Sequence, residues 1–254
     1  MDSHFIWYEL LTTDPAAAAE FYRAVIGWSC SDSGQPGMDY RLFRMGDETV
    51  GGLMALPPGA EQSGMTPAWL GYISVANVDE AVSRLTSAGG QLHMPAMEVP
   101  GVGRFAMVGD PQGAIFYVMT PVGEAPSVSF APGRPGHGGW HELHARDGAT
   151  AFEFYARQFG WSQTDALAMG EMGHYRLFNT GAGEPIGGMM TNPNLPRPVW
   201  FYYFNVDDID AAQARLTAAG GKVLFGPNIV PGDSWIINAQ DPQGAMFQLV
   251  GPRS

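Results

Sequence analysis

The chain has a single cysteine, Cys30, among its 254 residues. It cannot form an internal disulfide, so the fold requires no oxidising compartment and a reducing cytoplasm suits it. Following Gly27, Trp28 and Ser29, that lone thiol reads as an inert, partly buried residue rather than a nucleophile. Basic residues are also scarce. Thirteen Lys and Arg against 25 Asp and Glu leave a net charge of -12, which repels phosphate backbones and anionic membrane surfaces and argues against nucleic-acid or membrane partners. No basic start precedes an apolar stretch, and no window reaches the roughly eighteen apolar residues of a membrane span, so the sequence predicts a protein neither exported nor inserted. A glycine-rich phosphate loop in a strand-to-helix context is missing too, and nothing specifies a nucleotide.

Glycine (34) and proline (20) are plentiful, and 45% of residues are hydrophobic while 15% are charged. That balance predicts globular structure with many turns and short strands, with enough apolar material for two cores. The dominant feature is an internal repeat. Glu9 to Trp28, with Phe21, Tyr22 and Gly27, recurs as Glu142 to Trp161, with Phe154, Tyr155 and Gly160. Tyr40-Arg41-Leu42-Phe43 returns as Tyr175-Arg176-Leu177-Phe178, and Gly51-Gly52 returns as Gly187-Gly188. Asp110-Pro111-Gln112-Gly113-Ala114 returns as Asp241-Pro242-Gln243-Gly244-Ala245. The expected division is a first module over residues 1–121, a proline- and glycine-rich linker over 122–138 and a second module over 139–254.

Within a copy, Asp14-Pro15 opens a helix carrying Ala18, Phe21, Tyr22 and Val25 at helical spacing, and Gly27 stops it. A second helix runs from Asn77 to Gly89, with a twin from Asp208 to Gly220. The spacing predicts strands over 5–12, 40–45, 50–56, 69–75, 103–108 and 114–119. The order strand, helix, then two or three strands occurs twice per copy, so the fold class is α+β, with four βαβββ units in all.

This arrangement resembles the vicinal oxygen chelate superfamily, also called the glyoxalase, bleomycin-resistance and extradiol-dioxygenase fold. The resemblance rests on Thr-Asp-Pro before a helix with Phe-Tyr and Gly-Trp, on Val-Ala-Asn-Val-Asp before the second helix, and on the Asp-Pro-Gln-Gly turn before the last strand. The second copy has Arg-Asp-Gly at 146–148 in place of Thr-Asp-Pro. The resemblance implies tandem modules, each a curled mixed sheet around a cavity, with a divalent metal held by His, Gln or Glu in enzymatic members. The corresponding positions here are Trp7, Gly52, Leu70 and Tyr117 in the first copy and Trp140, Gly188, Phe201 and Gln248 in the second. Such a set leaves no usual metal site, so no metal cofactor is expected.

Strand alternation places Glu9 beside Trp7, and Glu142 and His144 beside Trp140, facing inward. Glu9 and Glu142 are therefore candidate acid-base groups, or else structural glutamates bonded to backbone, Arg41 or Arg176. Trp7, Tyr72, Tyr117, Trp140, His144, Tyr203 and Gln248 are candidate ligand-binding residues. A displaced metal site would use Glu142, His144 and Gln248, with His174 from a neighbouring strand; His141 and His144 cannot both point inward. The two glycine pairs either clear space for a ligand or form bulges that curl the sheet. The expected function is binding of a small, aromatic or partly apolar molecule by a metal-independent, cytoplasmic protein, acting as a monomeric pseudo-dimer or as a homodimer. The alternatives are a glyoxalase-type lyase or isomerase and an interaction protein whose cavities have filled.

Overall fold

The computed structural model describes residues 3–254 except 63, 124, 171, 172 and 182. The first copy runs β1 (Phe5–Thr12), α1 (Pro15–Val25), β2 (Ser29–Asp32), β3 (Tyr40–Met45), β4 (Glu48–Ala55), β5 (Ala68–Ser74), α2 (Val78–Ser87), β6 (Gln91–Val99), β7 (Gly103–Gly109) and β8 (Ile115–Pro121). The second runs β9 (Gly138–Ala145), α3 (Gly148–Phe159), β10 (Ser162–Ala168), β11 (His174–Asn179), β12 (Gly187–Thr191), β13 (Val199–Asn205), α4 (Ile209–Ala218), β14 (Lys222–Val230), β15 (Ser234–Gln240) and β16 (Met246–Gly251).

Local chemistry explains the helix ends. Asp14 accepts hydrogen bonds from the amides of Ala16 and Ala17, with Pro15 as first helical residue, and Asp147 accepts from Ala149 and Thr150. Asn77 and Asp208 cap α2 and α4 in the same way. At the far ends Gly27 (φ 93°) and Gly160 (φ 72°) take the left-handed conformation that β-carbon-bearing residues avoid. The buried stripe of α1 is Ala18, Phe21, Tyr22 and Val25, as the spacing predicts.

Each copy contributes one mixed eight-stranded open sheet, ordered β2-β3-β4-β1-β5-β8-β7-β6 and β10-β11-β12-β9-β13-β16-β15-β14. The parallel pairings β1 with β4, β5 with β8, β9 with β12 and β13 with β16 are those a βαβββ unit demands, and neighbours within each unit are otherwise antiparallel. Four strands escape the hydrophobic pattern: β2, β6, β10 and β14. All four are sheet edges, and most of their residues are exposed. An edge strand wet on both faces has no reason to alternate.

The chain condenses into two compact units that do not follow the repeat. One comprises Met1–Ile6, Gly71–Pro126 and His141–Phe201; the other comprises Trp7–Leu70, Ser127–Trp140 and Tyr202–Ser254. Each unit therefore joins one half of each copy, and the repeated motifs perform the joining. In the first unit Asp110 Oδ1 accepts from the amides of Gln112, Gly113 and Ala114, closing the Asp-Pro-Gln-Gly turn. Its Oδ2 accepts from the Tyr155 hydroxyl at 3.2 Å, which in turn accepts from Trp200 Nε1 at 2.9 Å. In the second unit Tyr22 donates to Asp241 at 3.1 Å and accepts from Trp69 Nε1 at 2.9 Å. Burial pushes both aspartates above the usual carboxylate range and raises the Tyr22 hydroxyl well above its ordinary value.

The later part of the predicted linker belongs to the second unit. The Asn205 amide donates to the carbonyls of Ala131 and His137, Trp28 Nε1 donates to Gly136 O at 2.7 Å, and Ser129 and His137 are buried. No helix among the described residues is long and apolar enough to cross a membrane.

Candidate functional site

Along β9, His141, Leu143 and Ala145 are buried while Trp140, Glu142 and His144 are half-buried, so the alternation expected from the sequence holds and His141 faces away from His144. Glu142 and His144 touch through Oε1 and Nε2. The other glutamate oxygen accepts from the Tyr175 hydroxyl at 2.9 Å, and the other imidazole nitrogen lies 3.0 Å from the Asn192 amide nitrogen. With Asn192 donating to Nδ1, the imidazole is the tautomer that carries its proton on Nε2 and donates it to Glu142. Phe201 meets the His144 ring edge-on, with centroids 4.8 Å apart. Each of these four atoms thus has a protein partner, and a carboxylate oxygen accepts more than one hydrogen bond. Arg176, a partner considered for Glu142 on sequence grounds, instead points its guanidinium toward the His174 carbonyl, and Arg41 pairs with Asp39. His174 is exposed, and Tyr175 beside it reaches Glu142.

The repeated glycines seat this tyrosine. A β-carbon at Gly188 would lie 2.2 Å from the Tyr175 ring, and one at Gly52 would overlap Tyr40 in the first copy. The space the glycines clear is occupied by protein side chains, and β3 and β4 also shift register between Phe43 and Arg44, next to Gly51. In the first copy Tyr40 receives a hydrogen bond from Trp7 Nε1 at 2.9 Å. Gly188→Ala is expected to expel the Tyr175 ring from Glu142 and to destabilise the protein by about 1–3 kcal/mol. Chemical denaturation measures the second effect, and an unchanged midpoint would contradict the packing described.

The remaining candidates separate by copy. Tyr72 and Tyr117 are paired across β5 and β8 and stack with centroids 4.2 Å apart. Tyr203 and Gln248 occupy the same positions in β13 and β16, and both are buried. Glu9 is buried in β1 opposite Gly52, and Cys30 is half-buried, with desolvation raising its thiol above the ordinary value, which suits an unreactive group. Tyr175 and Asn192 were missed by sequence reasoning. The repeated Tyr-Arg-Leu-Phe beside a repeated Gly-Gly was the available signal for the tyrosine; nothing in the sequence marked Asn192. A groove of about 320 Å³ between the 110–112 turn and α3, lined by Gln112, Thr150, Phe154 and Arg157, contains none of the predicted site residues.

A divalent ion needs several oxygen, nitrogen or thiolate donors, and of the positions that the resemblance implies for one, only Tyr117 and Gln248 carry a side-chain oxygen. Trp7 spends its only polar hydrogen on Tyr40, the Gly52 and Gly188 positions are covered by tyrosine rings, and Leu70 and Phe201 carry no donor. Among the described residues no group of three His, Cys, Asp or Glu side chains could hold a metal.

Two eight-stranded sheets, each built from paired βαβββ units and repeated in tandem, define a glyoxalase-type fold. A family model described as Glyoxalase/Bleomycin resistance protein/Dioxygenase superfamily matches residues 4–117 and 139–249, so the chain belongs to that superfamily. Among curated relatives, a Mycobacterium tuberculosis protein named "Putative glyoxylase CFP32" is 34% identical over 97% of this chain and 94% of its own length. The "Anthracycline biosynthesis protein DauV" of a Streptomyces species is 31% identical over 96% of this chain and 91% of its own. The fold of the Mn(II)-bound glyoxalase from Novosphingobium aromaticivorans superposes with a TM-score of 0.69 at 16% identity, covering 100% of this chain and 83% of the other.

Proposed function

We propose that this protein binds a small molecule through Glu142 and His144 of its second copy, and does so without a metal ion. The carrying observation is that a carboxylate and an imidazole stand as one half-buried pair on β9, held in place by Tyr175 and Asn192: a metal would have to displace those partners, whereas a ligand donor need only share a carboxylate oxygen, which accepts more than one hydrogen bond. The first copy has Leu11 where the second has His144, so the pair exists once. Phe201 already meets the His144 ring edge-on, a contact that favours an aromatic ligand beside the pair, and one Streptomyces relative is named an anthracycline biosynthesis protein.

Two measurements test this reading. Elemental mass spectrometry of purified protein, before and after incubation with iron, manganese, nickel and zinc, should find no stoichiometric metal; near-stoichiometric metal that disappears in His144→Ala would overturn it. In a thermal-shift panel of aromatic small molecules, a compound that stabilises the wild type should do so at least several-fold less in Glu142→Gln. A second reading is favoured by the carboxylate–imidazole contact itself: a lyase or isomerase using Glu142 as acid-base group. Turnover of dicarbonyl adducts lost in Glu142→Gln, with the fold intact, would select it.

A further inference from the structure

Residues directly opposite one another on adjacent strands share a face of the sheet. Tyr203 on β13 lies opposite Gln248 on β16, and Gln248 lies opposite Asn238 on β15, so the three form a row across three strands. The reverse face is core: Ile237, Ala239, Phe247 and Leu249 are fully buried, and α4 packs there. Gln248 has no exposed surface, yet among the described residues neither its Oε1 nor its Nε2 has a hydrogen-bond partner, and the buried Oδ1 of Asn238 has none either. A buried amide left unpaired is costly, and proteins rarely keep one without a use for it. Asn238 and its same-face neighbours Ile236 and Met246 are half-buried, so the row reaches solvent at its edge.

The repeat supplies an internal comparison. At the equivalent positions the first copy has Tyr72, Tyr117 and Met107, where the tyrosines stack and no buried polar atom is left unpaired. Two carboxamides stand in the row in the second copy only, and among the described residues nothing bonds Gln248 Oε1, Gln248 Nε2 or Asn238 Oδ1.

We infer that the Tyr203–Gln248–Asn238 row is a recognition site for a neutral aromatic ligand bearing a primary carboxamide or an equivalent group with two donors and one acceptor. Gln248 forms a reciprocal pair with such a group, accepting one N–H at Oε1 and donating from Nε2 to its carbonyl. The second N–H goes to Asn238 Oδ1, and the ring lies against Tyr203. Ile236, Gln240, Met246 and Val250 on β15 and β16 carry no charge, and the one charge on this face of β14, Lys222, lies opposite Gln240, two residues beyond Asn238; a carboxylate in the row would set its oxygens against the acceptor Asn238 Oδ1. Glu142 and His144 take no part in the row, so the outcome here and the outcome for the proposed function are separable.

The test is calorimetric titration of the full chain with 2-naphthamide and with 2-naphthoate. The amide should bind about tenfold or more tightly than the carboxylate, and Gln248→Met should weaken amide binding by about tenfold. The same substitution removes the unpaired atoms and should raise Tm by about 2–4 °C. Asn238→Leu, read by the same titration, should also weaken the amide and leave the naphthoate result unchanged. Equal binding of the two probes, no binding of the amide, or a Gln248→Met protein that is less stable and binds as before would each overturn the inference, because the amides would then serve the fold alone.

Discussion

Residues 1–121 and 122–254, produced as separate chains, are expected to show no cooperative unfolding as monomers and to regain it as a one-to-one complex when mixed. The sequence repeat suggests two self-sufficient modules, but each compact unit draws half its residues from each copy. In fragment 1–121, Asp110 loses the Tyr155 hydroxyl, Phe116 loses its packing on Tyr155 and Phe159, and the Trp161 side chain no longer bonds Ser3. In the other unit the same cut strips Tyr22 of Asp241 and Phe247, and removes the Arg215 bond to the Val25 carbonyl. A newly exposed large aromatic side chain costs about 1.5–3 kcal/mol of burial, and a few of them exceed the whole stability of an ordinary domain of about 5–15 kcal/mol. Analytical ultracentrifugation with urea denaturation distinguishes the outcomes. A monomeric 1–121 fragment with a steep single transition would show that the repeat, and not the compact unit, is the folding unit.

The motifs that made the repeat legible are the ones that carry out this exchange. Phe-Tyr, Gly-Trp and Asp-Pro-Gln-Gly stand out in the sequence because each must meet a fixed partner: Tyr155 its aspartate and tryptophan, Asp110 its own turn amides. Helix boundaries were legible for the same reason, since Asp14 and Gly27 act within a few residues of themselves. Which copy supplies the partner is a long-range property that the repeat hides, because Asp110 and Asp241 read alike. The β2, β6, β10 and β14 edges were invisible to a pattern that depends on burial. At the candidate site, Glu142 and His144 followed from alternation along one strand, whereas Asn192 and Asn238 come from strands or turns where single polar residues look like ordinary surface. The glycine pairs showed that something approached closely, but not that it was a tyrosine.

Stability should fall steadily as pH drops from about 6.5 to about 3, with His141 as the main source. Its ring is fully buried, stacks on Phe5 at 4.1 Å, and lies with Nδ1 2.9 Å from the Ile186 carbonyl, to which it donates as a neutral tautomer. Burial, the first cause, and the nearby His4 lower its pKa from 6.5 to about 3 in the folded protein. Above the unfolded value the ring is neutral in both states and contributes no pH dependence. Below it the unfolded chain binds a proton that the folded chain refuses, so stability is lost at up to about 1.4 kcal/mol per pH unit, on the order of 4–5 kcal/mol in all. Asp110 and Asp241 work in the opposite sense. Their raised values let the folded state take up protons before the unfolded state does, so they return part of the loss as pH falls through their folded pKa values. His141→Asn keeps a donor for Ile186 and cannot titrate. Urea denaturation at pH 7.5, 6, 5 and 4 should therefore show a lower plateau for the variant but a flatter slope, and parallel slopes for the two proteins would place the acid sensitivity elsewhere.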